Sequence, residues 1–337
     1  MSPVSSSAFK TFSQKNTQED LFHLAAETLG LTIKPFETLT RTRNGALQER
    51  IVLEITDGQK SFLTLGATTS RTSYLGMKIA VDKMATNSLL KKFDIPVTEQ
   101  IHIHKDKDIA HALEKFGKII IKPANSRAGK GVFSNVSSFQ NAQAIYESLR
   151  KKYSVIVAEN ILKGNEYRVL VINGKVFAVA EYVPPFIVGD GQHSIDFLIK
   201  QENARRVAYD HHRLIKINTA LHLNLKDAQL TTHTVLPQGQ TFILHKAAPI
   251  SNGGFIIDAT EKIHPKNVIL AERVAQLINL DVAGIDIITP RIEDPLESTG
   301  GAIIEINGGP DLDVHFNVHQ GKPRNGAEAI LREYFNL

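Results

Sequence analysis

Two polar side chains, those of Glu305 and Asn307, interrupt an otherwise apolar run near the end of the sequence. Alternate residues of a β-strand point to the same face, so a strand here would place both side chains together, about 7 Å apart along the strand. Upstream, Asp286 is the lone carboxylate of a second apolar run. An unpaired buried carboxylate is strongly disfavoured, whereas carboxylate and amide oxygens suit Mg²⁺. We therefore predict a metal site; the alternative is that one acid lies exposed at a strand end.

A second group of residues has the composition of a phosphate-binding loop. The apolar segment 118–122 ends in Lys122, and the loop after it contains small and basic residues, namely Ser126, Arg127, Gly129, Lys130 and Gly131. Glycines let backbone N–H groups approach an anion closely, and the basic side chains neutralise its charge, so this loop could hold a triphosphate. It matches neither the Walker pattern nor the dinucleotide fingerprint. A glycine hairpin with solvated lysines is the alternative.

Two later segments are suited to the rest of a nucleotide. The β-branched run 155–158 leads into residues 159–162, where free backbone groups at a hinge could bind adenine; an ordinary strand exit is the alternative. Beyond it, Glu166 and Arg168 share one face of a predicted strand. The carboxylate suits ribose hydroxyls and the guanidinium suits a phosphoryl group. A cross-strand ion pair is the alternative for Glu166 and Arg168.

The elements that must position these residues alternate along the chain. Apolar periodicity predicts helices at residues 18–29, 74–93, 108–115, 138–151, 195–203, 265–278 and 325–334. Short apolar runs predict strands at residues 49–56, 60–65, 118–122, 131–136, 154–158, 166–172 and 175–183, and around Asp286 and Glu305. The dipeptides Asp57-Gly58 and Asn173-Gly174 predict hairpin turns. Antiparallel hairpins mixed with packed helices indicate α+β lobes.

Composition narrows the class of protein. The 337 residues exceed the usual size of one core, which indicates two or three lobes. With 42% hydrophobic and 22% charged residues the chain has the composition of an ordinary soluble globular protein. It has no cysteine, which excludes disulfides, thiolate catalysis and cysteine-ligated zinc. A net charge of +4, with basic residues scattered among acids, favours an anionic small molecule over nucleic acid as the ligand.

The start of the sequence carries no targeting signal that we can identify. Residues 1–14 are rich in serine and lack an apolar core, so we expect neither a secretory signal nor a membrane anchor there. No apolar run approaches the length that crosses a bilayer. We expect a cytoplasmic enzyme with no nucleic-acid or membrane partner, and homo-oligomer formation stays open.

Taken in order, these motifs resemble the ATP-grasp superfamily, and in particular the ATP-grasp domain of the cyanophycin synthetases. The ATP-grasp half of the bifunctional glutathione synthetases is similar over the same stretch, from about residue 72 to the last residue. The resemblance is carried by Ala80-Val81-Asp82-Lys83, Ile121-Lys122-Pro123, residues 166–171, Val188-Gly189-Asp190-Gly191, residues 280–286, residues 300–307 and Gly321-Lys322-Pro323-Arg324-Asn325.

The resemblance implies an α+β fold of the ATP-grasp type, in which two α+β lobes clamp ATP. A small N-terminal α/β domain precedes these lobes in the sequence. We place the N-terminal domain at residues 1–75, the small lobe or lid at 76–157 and the catalytic lobe at 158–337. It also implies ATP and two Mg²⁺ ions as cofactors. The implied reaction joins a small carboxylate to an amine through an acyl-phosphate intermediate. A carboxylate is a poor acyl donor until phosphorylated, and phosphoryl transfer needs mainly positioning and charge neutralisation.

Residue by residue, the resemblance assigns roles to the matching positions. The nucleotide would be bound by Lys83, Lys122, Ser126, Gly129, Lys130, Gly131, Glu159, Ile161, Leu162 and Glu166. The metals would be held by Asp286, Glu305 and Asn307. Arg168 would stabilise charge during phosphoryl transfer. Lys246 would assist it, from a loop similar to the family's loop near the phosphates.

Two departures from the cyanophycin synthetases limit the transfer of substrate. The sequence lacks their Mur-ligase-like half and any Gly-Lys-Ser/Thr motif that could serve it, so we do not expect the complete bifunctional polymerase. After the Glu305 strand those relatives tend to carry an arginine where this chain has Asp313, close to Asp311. If that arginine recognises an acidic group, the substrate here is not acidic at that point, and a cationic amine would fit.

Three functions are open at this stage. The leading one is an ATP-dependent carbon–nitrogen ligase acting on small amino-acid-like molecules. A nucleotide-binding module without catalysis and a small-molecule kinase are the alternatives. Catalysis is favoured by the presence of the two predicted metal-binding acids, Asp286 and Glu305, together with Asn307, Lys122 and Arg168.

Overall fold

The computed structural model describes residues 17–41, 47–124, 131–207, 214–245 and 252–337. The predicted phosphate-loop residues Ser126, Gly129 and Lys130, and the predicted catalytic Lys246, lie outside these ranges. The chain divides into two compact units. Unit 1 comprises Met1–Phe62, Ala178–Glu261 and Asp311–Leu337, and unit 2 comprises Leu63–Phe177 and Lys262–Pro310.

Helices and strands are mixed along the whole described chain, as predicted. The helices are α1 (Gln18–Leu29), α2 (Tyr74–Val81), α3 (Lys83–Lys92), α4 (Asp106–Phe116), α5 (Phe139–Leu149), α6 (Ile195–Val207), α7 (Thr219–Asp227), α8 (Pro265–Ile278), α9 (Leu296–Thr299), α10 (Asp313–Phe316) and α11 (Gly326–Phe335). The strands are β1 (Thr32–Arg41), β2 (Leu47–Thr56), β3 (Ser61–Leu65), β4 (Thr68–Thr69), β5 (Gln100–His102), β6 (Ile119–Pro123), β7 (Phe133–Val136), β8 (Ile156–Asn160), β9 (Asn165–Ile172), β10 (Lys175–Val183), β11 (Phe186–Val188), β12 (Thr241–Ile243), β13 (Phe255–Asp258), β14 (Val282–Thr289) and β15 (Ala302–Asn307).

Unit 2 contains two antiparallel sheets that carry the predicted site residues. One has the strand order β5-β8-β6-β7 and is covered by α4 and α5, whose apolar faces join Ile119, Ile121 and Ala158 in a buried cluster. The other has β14 between β9 and β15. Helix α8 packs on β9 and β14, whereas α2 and α3 pack on β15. The central strand β14 is almost fully buried, in keeping with its apolar sequence.

Unit 1 is built from shorter pieces of sheet and helix. β1 and β2 form an antiparallel pair, and β13 pairs with the segment of β10 from Ala180 to Val183. β11 pairs with β12, next to a buried cluster to which α6 and α7 contribute. Helix α1 packs against α11, and Asn325 Nδ2 donates to the backbone oxygen of Leu21 at 3.4 Å. Strands β1 and β12 and helix α7 had no clear sequence signal.

The turn between β9 and β10 confirms the predicted hairpin. Asn173 and Gly174 both have positive φ angles, 46° and 75°, which is the conformation that an Asn-Gly pair adopts most readily. In the part of the chain that the structure describes, no helix is both long and apolar enough to traverse a bilayer.

The single helix predicted at residues 74–93 is wrong, because the chain breaks at Asp82. This residue is extended, with φ −96° and ψ 98°, and ends α2 before starting α3. Its carboxylate accepts hydrogen bonds from the backbone N–H groups of Met84 and Ala85, each at 3.0 Å. Aspartate is favoured at a helix N-cap over a helix interior. The apolar periodicity continues through this position, and it therefore predicted one uninterrupted helix.

We expect Asp82→Ala to lower the free energy of unfolding by about 1 kcal/mol, the usual cost of losing an N-cap. Urea denaturation measures the change. Asp82→Asn keeps a side-chain acceptor, so its stability should lie within about 0.5 kcal/mol of the wild type. An Asp82→Ala protein as stable as the wild type would show that the cap does not stabilise the start of α3.

Candidate active site

Three charged side chains form a row across β9, β14 and β15. Arg168 on β9 is directly opposite Asp286 on β14, and Asp286 is directly opposite Glu305 on β15. Directly opposed residues of antiparallel strands point to the same face of a sheet. Glu166, two residues before Arg168, shares this face. The strand register therefore brings Glu166, predicted to bind the ribose, together with Asp286 and Glu305, predicted to bind the metal.

Arg168 binds Asp286 with two hydrogen bonds. Its Nε donates to Oδ1, and its Nη2 donates to Oδ2 at 2.9 Å. Asn307 Nδ2 also donates to Asp286 Oδ2, at 3.1 Å. Gly284 gives these groups room, because a Cβ there would lie 3.0 Å from Arg168 Cδ and 2.7 Å from Pro310 Cβ. The cross-strand ion pair considered for Arg168 is thus present, with Asp286 as its partner.

Glu305 has a cationic partner of its own. Lys83 Nζ, on the first residue of α3, lies 3.1 Å from Glu305 Oε2. The side chain of Lys83 is 15% exposed and that of Glu305 is 31% exposed, against 5% for Asp286. The half-buried cluster therefore combines three carboxylates with two cations.

This excess of acid is visible in the pKa values of the cluster. Burial, together with the negative charges of Asp286 and Glu305, raises the pKa of Glu166 to about 7 against the opposing effect of Arg168 and Lys83. Burial also raises the pKa of Asp286, while Arg168 and Asn307 act to lower it. Among the residues that the structure describes, the three carboxylates of this face outnumber its two cations.

A second ion pair lies in the sheet formed by β5, β8, β6 and β7. Lys122 Nζ on β6 is 2.6 Å from Glu159 Oε2 on β8. Gln100 Nε2 on β5 donates to the other carboxylate oxygen of Glu159 at 2.7 Å. The Glu159 side chain is only 2% exposed, so both of its partners contribute to satisfying a buried charge. The role of Gln100 was not predicted, since its short strand has little apolar pattern.

The remaining predicted nucleotide residues flank this sheet. Ile161 and Leu162 follow β8 directly and are half-buried. Gly131 precedes β7 with φ +73°, and a Cβ there would lie 3.2 Å from the side chains of Leu149 and Pro123. A glycine is favoured at this position for both reasons. Lys122 lies in the ion pair rather than in solvent, which argues against the alternative of a solvated lysine.

The donor set at the end of the row fits a hard divalent cation. Asp286 and Glu305 supply carboxylate oxygens from opposed positions, and the amide of Asn307 supplies a carbonyl oxygen while its nitrogen contacts Asp286. Among the residues that the structure describes, no three His, Cys, Asp or Glu side chains are grouped as a metal site. Two acids and an amide match Mg²⁺, which completes its shell with water and phosphate oxygens.

Comparison with known proteins identifies the fold. The family model for the ATP-grasp domain of prokaryotic glutathione synthetase matches residues 82–185, a range that contains Lys83, Lys122, Glu166 and Arg168. The crystal structure of a bifunctional glutathione synthetase from Pasteurella multocida superposes with a TM-score of 0.66 over 95% of this chain and 44% of that one, at 22% identity. Residues 82–185 thus match an ATP-grasp domain, and the chain has the ATP-grasp fold. Its predicted α+β, ATP-grasp fold is thereby confirmed.

Curated ATP-grasp relatives are much longer than this chain. The cyanophycin synthetase of Trichormus variabilis is 35% identical over 297 residues, which cover 86% of this chain and 33% of that protein. A bifunctional glutathione biosynthesis protein of Clostridium perfringens is 28% identical, over 84% of this chain and 38% of its own length. The chain thus spans about a third of the relatives that it matches.

Proposed function

We propose that this chain is an ATP-dependent carboxylate–amine ligase that joins two small amino-acid-like substrates. The observation that carries the proposal is the row of Arg168, Asp286 and Glu305 on three neighbouring strands, with Asn307 and Glu166 beside it. Acids that outnumber the cations described beside them are suited to a metal ion that binds together with a polyphosphate.

In the proposed reaction a substrate carboxylate oxygen attacks the γ-phosphorus of ATP. The bond from that phosphorus to the bridging oxygen breaks, ADP leaves, and an acyl phosphate forms. The nitrogen of the neutral amine then attacks the acyl carbon, the bond from that carbon to the phosphate oxygen breaks, the nitrogen loses a proton that the departing phosphate takes up, and an amide remains. Each step displaces an anion, so charge neutralisation and alignment are what the protein must supply.

The chain's own residues divide these tasks. Asp286, Glu305 and Asn307 would hold Mg²⁺, which would supply charge neutralisation at the phosphates. Arg168 orients Asp286 through its two hydrogen bonds, opposes the rise in the pKa of that carboxyl, and adds positive charge to the same face. The loop residue Lys246 is proposed to assist at the phosphates from outside the described ranges.

Nucleotide binding would use the sheet that contains Lys122 and Glu159. We propose that Ile161 and Leu162, together with the loop that ends at Gly131, line the path of the nucleotide, with Glu166 at the ribose. The contact with Gln100 keeps Glu159 in place when Lys122 turns toward a phosphate, because one of the two hydrogen-bonding partners remains. The proposed lobes are residues 76–157 and 158–337, after an N-terminal domain at 1–75.

The proposal is tested by measuring ADP and phosphate release with Mg²⁺-ATP across a panel of amino acids and amines. A ligase should turn over only when a carboxylate and an amine are both present. The panel should include cationic amines. Asp313 stands where cyanophycin synthetases tend to carry an arginine, and Asp311 adds a second acid close to it. We expect an acid-plus-amine pair to raise ADP release at least tenfold over either substrate alone.

Two other outcomes would point elsewhere. Turnover with a single substrate would indicate a kinase. Nucleotide binding without substrate-dependent turnover across the panel would indicate a regulatory module. Mass spectrometry of the product separates an amide from a phosphate ester or a stable acyl phosphate.

A further inference from the structure

Lys83 occupies an unusual place for a cation. It is the first residue of α3, whose first turn has no acidic residue. The N-terminus of a helix carries partial positive charge, so a lysine there is disfavoured. Its contact with Glu305, 3.1 Å from Nζ to Oε2, gives this position a compensating interaction.

The two cations of the cluster are held very differently. Arg168 donates through two nitrogens to both oxygens of Asp286, and its planar guanidinium fits a carboxylate in that geometry. Lys83 meets Glu305 through one nitrogen at the end of a flexible chain, and Glu305 is the more exposed of the two acids. Lys83 is therefore the cation that can leave without breaking a paired hydrogen-bond network.

Asp286 and Glu305 are directly opposed across β14 and β15. Like charges in that arrangement repel each other unless a cation offsets them. A divalent cation bound by this pair would sit beside the oxygen that Lys83 contacts, and the two positive charges would compete for it. When Lys83 is displaced, its ammonium group needs another anion nearby.

We propose that Lys83 is an exchangeable counter-ion that neutralises Glu305 in the metal-free site and transfers to a nucleotide phosphate when a divalent cation binds Glu305. The inference rests on the proposed function of the site. It makes metal and nucleotide binding mutually favourable, because the metal releases the lysine that the phosphate needs. By linkage, the nucleotide strengthens metal binding by the same factor.

The test measures binding rather than turnover. Mn²⁺ serves as the probe for the metal, titrated by electron paramagnetic resonance into the nucleotide-free protein, and ADP affinity is measured by calorimetry with and without Mn²⁺. We expect Lys83→Met to bind Mn²⁺ alone about fivefold more tightly than the wild type, because its competitor is gone. The factor by which Mn²⁺ strengthens ADP binding should fall correspondingly.

Two variants serve as controls for this test. Lys92→Met removes an exposed lysine from the last turn of the same helix and should leave both affinities unchanged. Lys83→Arg keeps a cation at Glu305 and should retain weak binding of Mn²⁺ alone. Lys83→Gln replaces Lys83→Met should the latter not fold.

The inference is wrong if removing the charge of Lys83 leaves the affinity for Mn²⁺ alone unchanged or weakens it while the wild type binds Mn²⁺-ADP normally. That result would mean that Lys83 and the metal share Glu305 without competing. A wild-type protein that binds neither ADP nor Mn²⁺-ADP would instead overturn the proposed function, and this inference with it.

Discussion

Asp286→Asn is expected to destabilise the nucleotide-free protein by about 3 kcal/mol and to reduce ATP-dependent turnover at least a hundredfold. Asp286 is 5% exposed and is the direct cross-strand partner of Arg168, which is itself only 13% exposed. Removing the carboxylate charge leaves a desolvated guanidinium facing a neutral amide. Breaking one side of a buried ion pair costs far more than the pair contributes when intact.

The double variant Asp286→Asn with Arg168→Met separates stability from function. It removes both charges, so we expect it to regain at least half of the lost stability in urea denaturation. Turnover should not return, because the proposed metal ligand and the cation beside it are both gone. If the single variant Asp286→Asn had the same urea denaturation midpoint as the wild type, the ion pair between Arg168 and Asp286 would not be the main stabilising interaction of this row.

The residue types of this site were readable from the sequence, but their pairing was not. Glu305 and Asn307 interrupt one apolar strand, and Asp286 interrupts another, which is enough to predict oxygen ligands. The pairing of Arg168 with Asp286 depends on the register between β9 and β14, two strands that are far apart in the chain. Local alternation shows which face a side chain occupies and cannot show its neighbour on the next strand.

The same distinction separates the predicted elements that were correct from those that were not. The turn at Asn173 and Gly174 is specified by two adjacent residues, and it was predicted correctly. The break at Asp82 was missed because the apolar pattern continues across it, while the decisive contacts are two hydrogen bonds from its own carboxylate. Short strands such as β5 form because a partner strand is present, so their residues alone carry little signal.

Glu166→Gln is expected to stabilise the nucleotide-free protein at pH 8 by about 2 kcal/mol while leaving its stability at pH 5 nearly unchanged. In the folded protein the pKa of Glu166 is raised from 4.5 to about 7. Burial is the largest cause of this rise, the charges of Asp286 on β14 and Glu305 on β15 add to it, and Arg168 and Lys83 only partly offset it. A glutamine resembles the protonated acid in shape and carries no charge that needs solvation.

The sign follows from proton binding. Between about pH 4.5 and 7 the folded protein keeps the proton on Glu166 while the unfolded chain releases it, so the folded state binds more protons. The contribution of Glu166 to stability is therefore most favourable below pH 4.5 and is lost as the pH rises through about 7. One pKa unit corresponds to about 1.4 kcal/mol, so the full shift would give about 3 kcal/mol, and partial access of water to this side chain reduces it.

Urea denaturation at pH 5, 6, 7 and 8, without nucleotide or metal, measures the difference between wild type and variant at each pH. Other titrating groups contribute to both proteins and largely cancel in that difference. Glu114→Gln, at an exposed position on α4, is the matched control and should give a difference that does not change with pH. If Glu166→Gln also gave a constant difference, the carboxylate would already be ionised at pH 5, and the excess of acid in the cluster would have to be balanced by positive charge from outside the described residues.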